Sequence, residues 1–109
     1  MGITSKVRQS VILAADGQVQ KLISGSAANI TKANIMTVYA MSSAINGEIK
    51  LYNEIGSAGT AAKLIFHGKF GAAADAVQEF KLPGAGIYAD TGIYADLTSI
   101  DFFYIVGTF

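Results

Sequence analysis

The sequence predicts an all-β fold, an antiparallel β-sandwich or jelly roll of about seven to nine short strands, forming one domain over residues 1–109. Three observations predict it. Apolar and polar residues alternate with period two through much of the chain, the spacing that places alternate side chains on opposite faces of a strand. Turn-forming Gly, Asn and Asp separate these segments at roughly 10-residue intervals. A single short segment, Ala72-Ala73-Ala74-Asp75-Ala76-Val77-Gln78, has a helix-forming composition, and at that length an isolated helix is not stable in water.

Taken in order, Val7 to Ala15 and Gln18 to Gly25 flank Asp16-Gly17, a strong short hairpin signal, and predict a first pair of strands. Residues 1–7 are expected to extend ahead of them as an arm. Asn34 to Met41, rich in Ile, Val, Thr and Tyr, predicts the next strand. It is joined through Asn46-Gly47 to residues 48–55, where Ile49, Leu51, Asn53 and Ile55 share one face and Glu48, Lys50, Tyr52 and Glu54 the other. These two are expected to pair as a hairpin. After the Gly56-to-Thr60 turn, Lys63 to Phe70 predicts a third consecutive strand, with Leu64, Phe66 and Phe70 opposite Lys63, His67 and Lys69. Val77 to Leu82 is expected to stop at Pro83-Gly84-Ala85-Gly86, since proline lacks the ladder donor. Gly86-Ile87-Tyr88-Ala89-Asp90 recurs as Gly92-Ile93-Tyr94-Ala95-Asp96, which reads as strand, turn and strand with the bend at Asp90-Thr91-Gly92. Ile93 to Leu97 and Ile100 to Val106 complete the chain, and the last is apolar on both faces, as a central strand or one at a contact between subunits would be.

Composition bounds the function. Of 109 residues, 51% are apolar and 15% charged, against about 25% charged in typical soluble domains. Mean hydropathy is +0.41. A surface covered by something besides water is therefore expected. Eight basic residues balance eight acidic ones, and they are scattered, which argues against a nucleic-acid partner. Phe102-Phe103-Tyr104-Ile105-Val106 is strand-sized and far below the roughly 18 apolar residues of a membrane helix. The first residues lack signal-peptide organisation, so cytoplasmic synthesis is the expectation. The absence of cysteine excludes disulfides, thiolate catalysis and Cys-based zinc sites.

Chemistry-bearing residues are sparse. His67 is the sole histidine, so neither a His pair nor a two-His metal site can be assembled within one chain, and its lysine-bearing face predicts exposure. Asp90 and Asp96 could act as a carboxylate pair, or with Asp101 hold calcium, but Asp in turns more commonly bonds backbone amides; Asp16 reads the same way. Gly84-Ala85-Gly86 lacks the third glycine and the following helix of a phosphate loop. Tyr39, Tyr52, Tyr88, Tyr94 and Tyr104 could stack on sugars, although aromatics are enriched in strands for packing reasons alone. No catalytic residue, cofactor or metal is expected.

Leu82-Pro83-Gly84-Ala85-Gly86-Ile87-Tyr88, then Thr91-Gly92-Ile93-Tyr94-Ala95-Asp96-Leu97-Thr98 and a terminal apolar strand, resembles the ending of small β-sandwich virion proteins of tailed, often marine, bacteriophages. Ile49-Lys50-Leu51-Tyr52, the Gly56-to-Thr60 turn and Leu64-Ile65-Phe66 resemble the central hairpin of the same family, so the likeness runs over residues 47–109. The resemblance implies a non-enzymatic capsid decoration or cement subunit, located in the virion, that binds the major capsid protein and self-associates. Many weak contacts on a lattice then add by multivalency. Candidate contact residues are Ile3 and Val7 in the N-terminal segment and Phe102, Phe103, Tyr104 and Ile105 in the last strand. The alternative is a carbohydrate-binding module of a phage tail or fibre that engages host glycans through Tyr88 and Tyr94.

Overall fold

A computed structural model of the chain describes residues 7–43, 46–56, 60–70, 77–84 and 86–109. The fold is an all-β sandwich. Its strands are β1 (Val7–Gln9), β2 (Gly17–Gln18), β3 (Gln20–Ile23), β4 (Ser26–Asn29), β5 (Ala33–Ser42), β6 (Glu48–Tyr52), β7 (Leu64–Lys69), β8 (Val77–Lys81), β9 (Ile87–Ala89), β10 (Tyr94–Thr98) and β11 (Ile100–Thr108). The first sheet runs β1-β11-β5-β8, with β9 beside the other end of β5; the second runs β2-β10-β6-β7; β3 and β4 form a separate hairpin. Every pairing among them is antiparallel.

The two sheets meet through their apolar faces. Ile35, Val38, Ala40, Phe103 and Ile105 from the first sheet and Ile49, Leu51 and Ala95 from the second are all inaccessible to solvent, joined by Val19, Ile30 and Ile93 from the connections. Phe80 of β8 packs edge-on against Phe66 and Phe70, with ring centroids 5.5 and 5.6 Å apart, and so fills the side where β7 and β8 approach. Irregular register lets two strands contribute more than simple alternation allows. The pairing skips Met36 between Val106↔Thr37 and Gly107↔Ile35, so Ala33 and Ile35 before the bulge and Val38, Ala40 and Ser42 after it all point inward. A second shift at Asp101 does the same for Ile100 and Phe103 of β11.

Several expected elements stand as predicted. β7 follows β6 as its neighbour, β8 ends before Pro83, β9 and β10 flank the Asp90-Thr91 bend, and β11 is central, between β1 and β5. The two expected early hairpins do not form. Residues 33–42 and 48–52 lie in different sheets, because each carries one apolar face and the two faces bury each other across the core. Asn46, with φ of 65°, turns the chain between layers. Likewise residues 7–13 follow β11, with Leu13 bridged to Phe103, whereas Gly17–Gln18 joins β10 in the second sheet. Asp16 Oδ1 accepts the Leu97 amide at 2.7 Å, which ties this crossing to β10.

The hairpin that does form near the N-terminus, β3–β4, turns at Ser24-Gly25, both in the left-handed region (φ 51° and 84°). This is the two-residue turn whose twist matches antiparallel strands, and the Ser-Gly dipeptide was the available signal for it. No residue of either strand is buried. Of the contender helix, residues 71–76 lie outside the described residues, and Val77 and Gln78 are extended in β8.

Candidate interaction surface

The two outer faces of the sandwich differ in chemistry. On the second sheet, the outward positions of β6, β7 and β10 carry Glu48, Lys50, His67, Lys69 and Asp96, aligned across strands as Glu48↔Lys69, Lys50↔His67 and Asp96↔Lys50. His67 Nε2 lies 2.6 Å from Glu48 Oε2, donating to it since an ionised carboxylate only accepts, and Lys69 Nζ is 3.7 Å from the same oxygen. That face is built for water.

The outer face of the first sheet is not. Three cross-strand rows run over it: Val77–Met41–Phe102, Glu79–Tyr39–Tyr104, and Lys81–Thr37–Val106. The Tyr39 and Tyr104 rings stack with centroids 5.0 Å apart and planes 21° from parallel; Phe102 continues the file 6.5 Å from Tyr104 at 10°. Stacked cross-strand aromatics stabilise a sheet pair by about 0.2–1 kcal/mol. Tyr39 donates its hydroxyl to Glu79 Oε2 at 2.7 Å, and this bond pushes the phenol up from its ordinary range. Val77 at the margin of the face is 67% exposed. The surplus of apolar residues therefore sits in part on this one face.

The expected contact residues separate accordingly. Phe103 and Ile105 point into the core, with 0% exposure, and offer nothing to a partner. Phe102 and Tyr104 alternate with them on the outer face and are half-buried. Val7 is exposed and pairs with Thr108 at the end of β1; Ile3 lies outside the described residues. Tyr88 and Tyr94 do not share a platform. Tyr88 pairs with Asn34 on the outside of the first sheet, and Tyr94 pairs with Tyr52 and Gln18 on the outside of the second. Sequence reasoning missed Met41 and Val77 as members of the aromatic face, because only the pairing of β5 with both β8 and β11 brings them beside Phe102.

Asp90, like Asp16, acts on the scaffold. Asn53 Nδ2 donates to Asp90 Oδ1 at 2.7 Å, its own Oδ1 accepts the Thr91 amide at 2.9 Å, and Thr91 Oγ1 reaches Asp90 at 3.1 Å. Gln18 extends this lacing, donating to the carbonyls of Glu54 and Ile93 at 2.9 and 3.0 Å and accepting the Gly56 amide at 2.8 Å. Among the described residues no three of His, Asp and Glu stand together as metal ligands. The Gly86 amide is bonded to the Pro83 carbonyl at 3.1 Å and β9 follows it, so the segment has no phosphate-loop geometry.

Two carboxylates give a pH dependence. The hydrogen bond from His67, with Lys50 and Lys69 nearby, holds Glu48 below its ordinary 4.5. The bonds from Asn53 and then Thr91 hold Asp90 below its ordinary 3.8. A lowered folded-state value contributes stability that is present above the unfolded value and lost as pH falls through the folded one. Melting temperature is accordingly expected to fall as pH drops below the ordinary 4.5 of Glu48 and 3.8 of Asp90, and the Glu48→Gln/Asp90→Asn double variant to show a flatter profile in the same scan.

No helix among the described residues is long and apolar enough to cross a membrane. The fold and its surfaces thus define an all-β sandwich with one charged and one aromatic outer face. No family model, curated protein or solved structure matches the chain.

Proposed function

We propose that this chain is a non-enzymatic structural protein of a tailed-bacteriophage virion, a capsid decoration or cement subunit that binds the major capsid protein and self-associates. The observation that carries the reading is the contrast between the two outer faces. An aromatic file of Tyr39, Tyr104 and Phe102, bordered by Met41, Val77 and Val106, suits a flat protein partner, since aromatic residues and Met are enriched at the centres of such interfaces. The likeness of residues 82–98 to the ending of small phage sandwich proteins supports the same setting. A lattice of identical sites lets one modest face suffice per copy.

Capsids of the virus that encodes this sequence, stripped of accessory proteins and sedimented with the purified chain, provide the test. Saturable co-sedimentation is expected, with apparent affinity lowered about tenfold or more in Phe102→Ser/Tyr104→Ser, as loss of paired hot-spot aromatics does. A chain that stays in the supernatant at all concentrations overturns the reading. The second reading, a glycan-binding tail or fibre module, is favoured only by Tyr88, which is 57% exposed. Saturable binding on a glycan array, abolished by Tyr88→Ala, would establish it instead.

A further inference from the structure

Among the described residues both sheets are open, so each ends in strands with one unpaired edge. β1 and β2 are short, three and two residues, which blunts them as templates. The longer edges among the described residues are β7 and β8. They differ in what a second copy would meet. Leu82 donates its amide to the Met36 carbonyl at 3.0 Å, and the register places Lys81 opposite Thr37. In an antiparallel ladder the amides alternate in direction, so Leu82, Phe80 and Gln78 bond toward β5 while Lys81, Glu79 and Val77 present their amides and carbonyls outward. Phe80, wedged between Phe66 and Phe70, holds this orientation.

We propose that two copies of this chain join edge to edge through β8, antiparallel about a two-fold axis at Phe80, with Glu79 of each opposite Lys81 of the other. This inference rests on the self-association in the proposed function and names its surface. Charge selects the register. An axis at Glu79 sets two glutamates directly opposite, and one at Lys81 sets two lysines opposite, both destabilising. An axis at Phe80 makes two Glu79–Lys81 pairs and places Val77 against Pro83. Glu79 is pre-positioned, because Tyr39 already holds one of its oxygens. β7 has no such solution: its His67 and Lys69 are both basic and neither is acidic, and both fall on the residues whose backbone faces outward. The Phe70 amide bonded to the Gly47 carbonyl at 2.8 Å sets that phase. Joined at β8, the two aromatic faces become one continuous surface.

Sedimentation velocity on the full chain tests this with Glu79→Lys, Lys81→Glu, the double variant, and an equimolar mixture of the two single variants. Wild type is expected to dimerise. Each single variant makes both cross-strand pairs like-charged and should weaken the dimer about tenfold or more. The double variant regains it, and the mixture forms heterodimers, which a misfolded variant would not do. Wild-type-like dimers in both single variants would overturn the edge while leaving self-association standing, and would point to another surface. A wild-type chain that remains monomeric overturns both, whereas capsid co-sedimentation of the same sample reports separately on the virion reading.

Discussion

Phe103→Ala is expected to lower the unfolding free energy by about 3–5 kcal/mol, a large share of the roughly 5–15 kcal/mol of a domain this size. Phe103 is wholly buried at the centre of the first sheet, opposite Ala40 of β5. On its other side Leu13 bonds to it reciprocally, at 2.8 and 2.9 Å. Strands laddered on both sides cannot close the cavity that truncation leaves, so the lost contacts are not recovered. Phe102→Ala, one residue away, removes a ring that stacks on Tyr104 at the surface and should cost only about 1 kcal/mol. Urea unfolding followed by far-UV circular dichroism compares the two. Equal losses would contradict the inward and outward assignment on β11. In the capsid co-sedimentation that tests the proposed function, the order is expected to reverse, with Phe102 acting directly and Phe103 only through the fold.

The second large effect concerns a single methyl group. At Gly107 an added Cβ would lie 2.1 Å from the Asn34 carbonyl oxygen and 3.1 Å from its carbon, both backbone atoms of the neighbouring strand. Gly107 follows the register shift between Val106 and itself. Relief therefore requires the strands to separate where Ile35 and Ile105 close the core, and side-chain repacking cannot supply it. Gly107→Ala should cost more than the roughly 1–3 kcal/mol usual for overpacking, with a lower melting temperature and faster amide exchange along residues 33–36. Gly25→Ala serves as the comparison. No atom lies within 4 Å of a Cβ there, so its cost is limited to the left-handed backbone, φ 84°.

Parts of this architecture were legible without coordinates, for identifiable reasons. Of the expected 48–55 strand, Glu48 to Tyr52 forms with Ile49 and Leu51 inside, but it stops there, with Tyr52 also buried and Ile55 exposed; Pro83 marks the end of β8; the doubled Gly-Ile-Tyr-Ala-Asp segment yields β9, a bend and β10. Other parts were hidden. Asn46-Gly47 and Asp16-Gly17 are turn-formers in either setting, and nothing local distinguishes a turn within a sheet from one that crosses between sheets. The bulges at Met36 and Asp101 reverse which side chains face inward, so counting by twos along 33–42 or 100–108 misplaces residues beyond the shift. Phe102, Phe103, Tyr104 and Ile105 read as one apolar stretch because all four are apolar, although regular alternation gives two to the core and two to the surface.

The sequence by itself determined that this chain is all-β, where most of its strands start and stop, and that its charge is sparse and balanced. Those properties follow from alternation, turn chemistry and composition, which act between residues close along the chain. Only the tertiary structure decided which strands are neighbours, which outer face is charged and which aromatic, and that Glu79 and Lys81 lie along an edge that no described strand covers. The pairing of β5 with both β11 and β8 joins residues 36 to 74 positions apart. Such contacts form because burying two apolar faces against each other outweighs the loop-closure entropy of bringing them together, a balance no local window contains.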